Sequence, residues 1–64
     1  MQDWQLRKLK ELRRQWEYTQ GDMAKKLGIS LPLYIEKENG HWPFDIWEAE
    51  RIMGIFGKKY EDVF

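Results

Sequence analysis

The chain of 64 residues has room for one domain and no more. It contains no cysteine, which excludes disulfide bonds and thiolate zinc sites, and its 11 basic and 11 acidic residues give a formal net charge of zero. No apolar run approaches the roughly 20 residues of a membrane span, and the N-terminus lacks the apolar core of a signal peptide, so we expect a cytoplasmic protein with no membrane partner.

The first amphipathic segment predicts helix 1 from about residue 4 to residue 16. Its apolar side chains recur at intervals of three and four, which places them on one helix face: Leu6, Leu9, Leu12 and Trp16. Lysine and arginine cover much of the remaining surface. Residues 1–27 hold seven basic against four acidic side chains, so the first half of the chain is basic and the second half is acidic.

A capping pattern predicts helix 2 over residues 20–27. Thr19 is a good N-cap, and Asp22 stands three residues later, where its carboxylate can reach back to the Thr19 amide. Gly28 ends the helix, because the residue after a helix often needs a positive φ that glycine adopts without strain.

Helix 3 is predicted over residues 31–38. Ser30 is its N-cap, and Pro32 fits the first turn, where a missing N–H costs nothing. Asn39 and Gly40 end the helix with two residues that tolerate left-handed backbone geometry.

The last third of the sequence predicts helix 4 and a short fifth element. Asp45 and Glu48 form a second capping box, and Gly57 ends the helix. The expected inner stripe of helix 4 consists of Ile46, Ala49, Ile52, Met53 and Phe56. Residues 58–64 predict a short helix or turn that packs Val63 or Phe64 onto the body.

Residues 20–39 carry the most informative pattern. Two helices are joined by a short turn that contains Gly28, and Ala24 is small where the helices must approach closely. Their shared core is expected to contain Met23, Leu27, Ile29 and Tyr34. This is a helix-turn-helix pattern. The prediction is therefore an all-α fold, a single domain over residues 1–64 that forms a compact bundle of four to five short helices.

The segment Leu12–Gly40 and the ending at 56–64 resemble the Cro/CI-like helix-turn-helix family, which is also called lambda-repressor-like or XRE-like. The matching pieces keep the family spacing without a gap: Leu12-Arg13, YTQ at 18–20, MAKKLGIS at 23–30, ENG at 38–40 and FGKKYEDVF at 56–64. The resemblance implies a DNA-binding domain that acts on double-stranded DNA as a homodimer, with helix 3 in the major groove.

The resemblance also implies roles for individual residues. Those expected against DNA phosphates are Thr19, Gln20, Lys25, Lys26, Asn39, Gly40 and His41. Those expected to face the bases are Ser30, Leu31, Pro32, Leu33, Ile35 and Glu36. Arg13 is implied to pair with Glu38, which would tie helix 1 to helix 3. A solvated helix face is the alternative for Lys25 and Lys26.

Helix 3 departs from the family pattern at the positions that read bases. Leu31, Pro32, Leu33 and Ile35 offer no hydrogen bonds to a base edge and can only touch thymine methyl groups. These side chains have two alternatives: partial burial within the domain, with helix 3 rotated or shifted in register, or exposure as an apolar patch for a protein partner. Lys37 also replaces a residue that is usually apolar and packed in the family.

Outside this motif the sequence offers an interface but no catalytic chemistry. Trp47 falls off the predicted inner stripe, so Trp47 and Phe64 are candidates for a dimer contact. His41 is the sole histidine and makes no metal site by itself. With one serine, one threonine and no cysteine, no nucleophile and base can be assembled, so we expect no enzyme, cofactor or small-molecule substrate.

The leading hypothesis is a repressor-like transcriptional regulator of bacterial, phage or mobile-element type. The alternative is a helix-turn-helix fold used as a protein–protein interaction module, such as an adaptor, antitoxin or modulator, through the apolar face of helix 3. A chain engineered on this scaffold would show the same pattern.

Overall fold

The computed structural model describes residues 6–64, and within them all regular structure is helical. The helices are α1 (Arg7–Gln15), α2 (Gln20–Leu27), α3 (Leu31–Glu38), α4 (Ile46–Phe56) and α5 (Tyr60–Val63). The all-α prediction is confirmed, and α2 and α3 have the predicted bounds. No helix in this part of the chain combines the length and apolar character needed to cross a bilayer.

Helix α1 is shorter than its pattern suggested. It starts at Arg7, with Leu6 as the residue before the first turn, and the earlier positions of the predicted helix lie outside the described residues. At the other end, Trp16 follows the helix and is 46% exposed, so its predicted inward position is wrong. The chain leaves the helix there, and one edge of the Trp16 ring rests on Phe56 at a centroid distance of 5.5 Å.

Both predicted capping boxes are present. Thr19 Oγ1 accepts a hydrogen bond from the Asp22 amide at 3.0 Å, and Asp22 Oδ2 accepts one from the Thr19 amide at 2.9 Å. The hydrogen bond from the Thr19 backbone is the main reason that the pKa of Asp22 lies below its ordinary value. Asp45 and Glu48 exchange the equivalent bonds at the start of α4.

The hydrophobic core draws on every helix. Its buried members are Leu9 of α1, Met23 and Ala24 of α2, Tyr34 of α3, Ile52 and Phe56 of α4, and Val63 of α5. The short helix α5 forms because it buries Val63 and packs against α1 and α4, where it closes the core. The turn residue Ile29 packs against this core as predicted.

The inner face of α4 differs from the predicted stripe at its first turn. Ile46 is 71% exposed, whereas the buried positions are Glu48, Ile52 and Phe56, which follow one another at intervals of four. The apolar pattern was misleading because a carboxylate, not an isoleucine, occupies the inward position of that turn. Glu48 is tolerated there because Lys37 neutralises it.

The turn between α1 and α2 contains a strained residue that can be tested. Glu17 has a φ of +58°, in the left-handed region that favours glycine. We expect Glu17→Gly to raise the free energy of unfolding by about 0.5–1 kcal/mol, since relief of left-handed strain exceeds the added entropy of the unfolded chain. Urea denaturation measures this change. Glu17→Ala is the control, because it removes the carboxylate and keeps the Cβ; an equal gain in that variant would disprove the backbone explanation.

Candidate nucleic-acid interface

Helices α2 and α3 form a tightly packed unit around a short turn. The Ile29 amide donates to the Ala24 carbonyl at 3.0 Å, and the Gly28 amide donates to the Lys25 carbonyl at 3.1 Å. Gly28 sits at a φ of +72°, as the predicted helix end required. Ala24 is buried. A larger side chain at this position would push α3 away from α2. These contacts fix the direction in which α3 leaves the turn.

The start of α3 projects into solvent. Ser30 Oγ accepts a hydrogen bond from the Leu33 amide at 3.3 Å, which anchors the first turn. Leu31 is 44% exposed and Leu33 is 39% exposed, while Ile35 is half-buried. Partial burial, one of the alternatives from the sequence, fits Ile35 best, whereas Leu31 and Leu33 are among the exposed large apolar side chains. Leu31, Pro32 and Leu33 offer only apolar groups to this surface, whereas the exposed Ser30 hydroxyl beside them keeps its own hydrogen to donate.

One carboxylate holds the unit to α1. Glu38 is fully buried and accepts hydrogen bonds from Arg13 Nε at 2.9 Å, from the Tyr34 hydroxyl at 2.7 Å and from Gln20 Nε2 at 3.0 Å. Arg13 thus forms the ion pair with Glu38 that the resemblance implies, and it also donates to the Tyr18 carbonyl at 2.9 Å. The network joins α1, α2 and α3 at a single group.

The electrostatics of this network keep Glu38 ionised. Burial alone would raise the pKa of Glu38, but the hydrogen bonds from Arg13, Tyr34 and Gln20 together hold that pKa below its ordinary value. The same burial, with the hydrogen bond to Glu38, raises the pKa of Tyr34 far above its usual range. Tyr34 therefore stays a hydrogen-bond donor at any physiological pH.

Gln20 has a role that the sequence alone did not show. It is the first residue of α2 and half-buried, and its amide nitrogen is bound to Glu38 rather than directed into solvent. The predicted phosphate contact stays a prediction, and the donors left for it are the second amide hydrogen of the Gln20 side chain and the backbone N–H groups of the first turn.

The lysines of α2 lie on its outer surface. Lys25 and Lys26 are both exposed, and the Lys26 Nζ atom lies 4.6 Å from the centre of the Tyr18 ring. Asp22, one turn earlier, is close enough for both lysines to help lower its pKa. The positive charge of this surface is thus partly offset by a neighbouring carboxylate.

The predicted phosphate contacts after α3 already have partners within the protein. Asn39 Oδ1 accepts a hydrogen bond from Lys10 Nζ at 3.0 Å, and His41 Nδ1 lies 2.7 Å from Glu36 Oε2. Gly40 has a φ of +84°, which lets the chain reverse at the end of the helix. Because Glu36 is bound to His41, its carboxylate is turned away from the first turn of α3 toward the loop.

A second ion pair links α3 to α4, and sequence reasoning missed it. Lys37 Nζ donates to Glu48 Oε1, and both side chains are about nine-tenths buried, with 11% and 10% exposure. The ammonium also lies 5.8 Å from the centre of the Phe44 ring. Only part of the signal was present, since Lys37 stands at a position that is usually apolar in the family that the sequence resembles, whereas Glu48 was predicted as a capping residue outside the inner stripe.

The two residues proposed for dimerisation, Trp47 and Phe64, differ in how far their side chains are exposed. Phe64 is half-buried near the Phe44 and Tyr60 rings, with centroid distances of 6.0 Å and 4.9 Å. Trp47 is 77% exposed on α4 and lies beside Arg51 and the end of α2. Within residues 6–64 there is also no group of three or more side chains arranged to hold a metal ion.

The chain was compared with known proteins. It is 42% identical over 57 residues to an uncharacterized HTH-type transcriptional regulator of Methanocaldococcus jannaschii, and the match covers 89% of this chain and 86% of the relative. No protein-family model matches the chain, and no solved structure matches it. Since the match spans 57 of 64 residues, it takes in α2, the turn and α3.

Proposed function

Because this chain belongs to the family of HTH-type transcriptional regulators, we propose that it binds duplex DNA with α3 in the major groove and regulates transcription by occupying an operator. The observation that carries the proposal is the packed α2–turn–α3 unit with the first turn of α3 exposed. We further propose a repressor-like regulator of bacterial, phage or mobile-element type that acts as a homodimer.

Binding of this kind divides into backbone and base contacts. The first turn of α2 presents backbone N–H groups to a phosphate, and Lys25 and Lys26 add positive charge near it. Leu31 and Leu33 then meet the groove floor, where apolar side chains favour thymine methyl groups over other base edges. With no net charge on the chain, we expect modest affinity that falls with salt.

The test is a titration of fluorescent duplexes, both random-sequence and genomic, at low salt. We expect binding below about 50 µM, the range of non-specific contacts for DNA-binding proteins. The double variant Leu31→Glu/Leu33→Glu should weaken it by about tenfold or more, because two carboxylates would face the phosphates. Both positions are exposed, so the variant should fold normally by circular dichroism.

The matched control is Arg14→Glu, which makes the same change of net charge on the exposed side of α1. It should weaken binding much less than the α3 variant. Absence of any binding at about 50 µM in low salt would reject the proposal. Equal losses in the two variants would reject α3 as the contact surface and leave only a general charge effect.

The exposed leucines also favour a second candidate function, which is contact with a protein partner through the apolar face of α3. The variant Leu31→Gln/Leu33→Gln distinguishes the two functions, because glutamine replaces methyl groups with hydrogen-bonding groups that bases accept and an apolar partner surface does not. Retained DNA binding supports the first function. If the variant leaves partner capture and solubility unchanged, the second function fails.

A further inference from the structure

An apolar groove lies away from the exposed start of α3. It is bounded by the loop after α3, the first two turns of α4, and α5, and it encloses about 840 Å³. Pockets that hold small organic molecules usually have volumes of roughly 300–1,000 Å³, so this groove has the size of a ligand site. Leu31 and Leu33 are not part of its walls, and a molecule in the groove therefore leaves them uncovered.

One wall of the groove is aromatic. The Phe64 ring lies beside the rings of Phe44 and Tyr60, at centroid distances of 6.0 Å and 4.9 Å, and Trp42 at the rim is 60% exposed. The faces of such rings attract cations as well as apolar groups. The Lys37 ammonium, which lies 5.8 Å from the centre of the Phe44 ring, shows that this wall already accommodates one cation.

The charge of the groove is negative once the ion pair inside the protein is counted. Among the described residues, the charged ones that line it are Lys37, Asp45 and Glu50. Glu48 neutralises Lys37, which leaves the exposed carboxylates of Asp45 and Glu50. The capping bond at the start of α4 uses Oδ1 of Asp45, so Oδ2 can face a ligand. The neighbouring residues 58–62 add no net charge, since two exposed lysines there are balanced by two exposed carboxylates.

We propose that the groove binds a small organic cation with an apolar body, of the chemical class of an aromatic quaternary ammonium. The apolar body lies against Phe44, Met53 and Phe64, and the cationic head lies toward Asp45 and Glu50. Aromatic faces together with carboxylates favour a cation over a neutral or anionic molecule of the same shape. A hollow of pocket size favours a small molecule over the broad contact that a protein partner needs.

The exposed apolar side chains at the rim fit the same occupant. Ile46 is 71% exposed and Tyr60 is 58% exposed, and both line the groove. Several such side chains around one apolar hollow mark a binding surface. The ligand is bound and released unchanged, so the inference adds no enzymatic chemistry. It goes beyond the proposed function and does not rest on it, because binding needs no DNA.

Compounds that share one naphthyl body and differ in the charge of the head test the proposal. They are naphthylmethyl-trimethylammonium, naphthylmethanol and naphthylacetate, each titrated into the protein by isothermal calorimetry. We expect a dissociation constant below about 1 mM for the cation. Binding of the anion should be at least about tenfold weaker, with the neutral compound between the two.

Nuclear magnetic resonance locates the bound cation. In proton–nitrogen correlation spectra, naphthylmethyl-trimethylammonium should shift the amide signals of Gly40, Ala49 and Met53, whose residues line the groove. The signals of Leu31 and Trp47, which lie outside it, should stay in place. Shifts centred on Leu31 or Trp47 instead would overturn the inference.

The double variant Asp45→Asn/Glu50→Gln tests the two carboxylates. Asparagine caps a helix as well as aspartate does, so the variant should fold normally by circular dichroism. It should weaken binding of the cation by at least about fivefold and leave binding of naphthylmethanol unchanged, because only the charge of the groove is lost. The matched control is Glu61→Gln/Asp62→Asn, which removes two exposed carboxylates that do not line the groove. It should weaken binding of the cation by less than about twofold.

Trp42→Ala supplies a second variant that keeps all charges. It should weaken the cation more than the anion, since the lost ring face attracts only the cation. Equal binding of cation and anion by the parent protein overturns the inference, as do equal losses in the two double variants. So does absence of binding of the cation up to about 10 mM. Groove signals that shift with protein concentration and not with the cation would show a second copy in the groove, and this result also overturns the inference.

Discussion

Replacing Glu38 with alanine is expected to cost about 3–5 kcal/mol of folding free energy, the usual effect of breaking a buried ion pair from one side. Arg13 would be left with 11% of its side chain exposed and no carboxylate, and Tyr34 would lose the acceptor of its 2.7 Å hydrogen bond. A chain of 64 residues is typically stable by roughly 3–10 kcal/mol, so the variant should lose a large part of its stability. Urea denaturation followed by circular dichroism measures the loss.

The control for this prediction lies on the same helix. Glu36 also has a side-chain partner, His41, but the two side chains are 47% and 63% exposed. Glu36→Gln should therefore change stability by about 0–1 kcal/mol, as exposed pairs usually do. If Glu38→Ala and Glu36→Gln have similar effects, the buried network does not hold the helices together as described.

The same network makes stability depend on pH in a defined direction. The pKa of Glu38 is lowered in the folded state, so its contribution is fully present above the ordinary value of 4.5 and is lost as the pH falls through the folded value. Glu38→Gln removes this group and should flatten the acid side of the stability curve, although Asp22, whose pKa is also lowered, will keep a small slope. An unchanged acid slope in Glu38→Gln would contradict this assignment.

Replacing Lys37 and Glu48 together is expected to leave the protein about as stable as before, although each single replacement destabilises it. Lys37→Met should cost about 3 kcal/mol, because the Glu48 carboxylate would remain buried without its cation. Glu48→Leu should cost as much, because it leaves the ammonium unpaired and removes the cap on the Asp45 amide. The double variant Lys37→Met/Glu48→Leu should lie within about 1 kcal/mol of the parent, since well-packed apolar residues replace buried ion pairs at little cost.

A double-mutant cycle from urea denaturation tests the coupling, which we expect to exceed about 2 kcal/mol. Glu48→Gln separates the ion pair with Lys37 from the cap on the Asp45 amide. The glutamine oxygen can still accept a hydrogen bond from that amide, but the negative charge is gone. Additive effects of the two single replacements would show that the charges do not depend on each other.

The local pattern of the sequence was enough to predict the helices. Thr19, Ser30 and Asp45 begin helices because their side-chain oxygens accept bonds from free N–H groups, and Gly28 and Gly57 end them at positive φ. These interactions join residues within four positions of each other, so they can be recognised without the fold. The packed α2–turn–α3 unit follows from them and from the small Ala24.

Long-range pairing could not be predicted in the same way. The sequence shows Lys37 and Glu48 as two charges eleven residues apart, and only the tertiary fold, which brings the end of α3 beside the start of α4, decides that they neutralise each other out of water. Ile46 was predicted as a core residue because its spacing fits the inner stripe of helix 4. The fold instead places Glu48 in the inward position of that turn. The candidate site shows the same division, since Gln20 was recognised but its bond to Glu38 was not.

By itself, then, the sequence determined an all-α chain with a helix-turn-helix, because capping and periodicity act between near neighbours. The tertiary structure decided which faces remain in solvent, namely the leucines at the start of α3 and the groove bordered by Trp42, Ile46 and Tyr60. Exposure depends on how whole helices pack, and here a core that draws on every helix and buried ion pairs between distant positions both contribute to that packing. These exposed surfaces are therefore properties of the fold and not of any single segment.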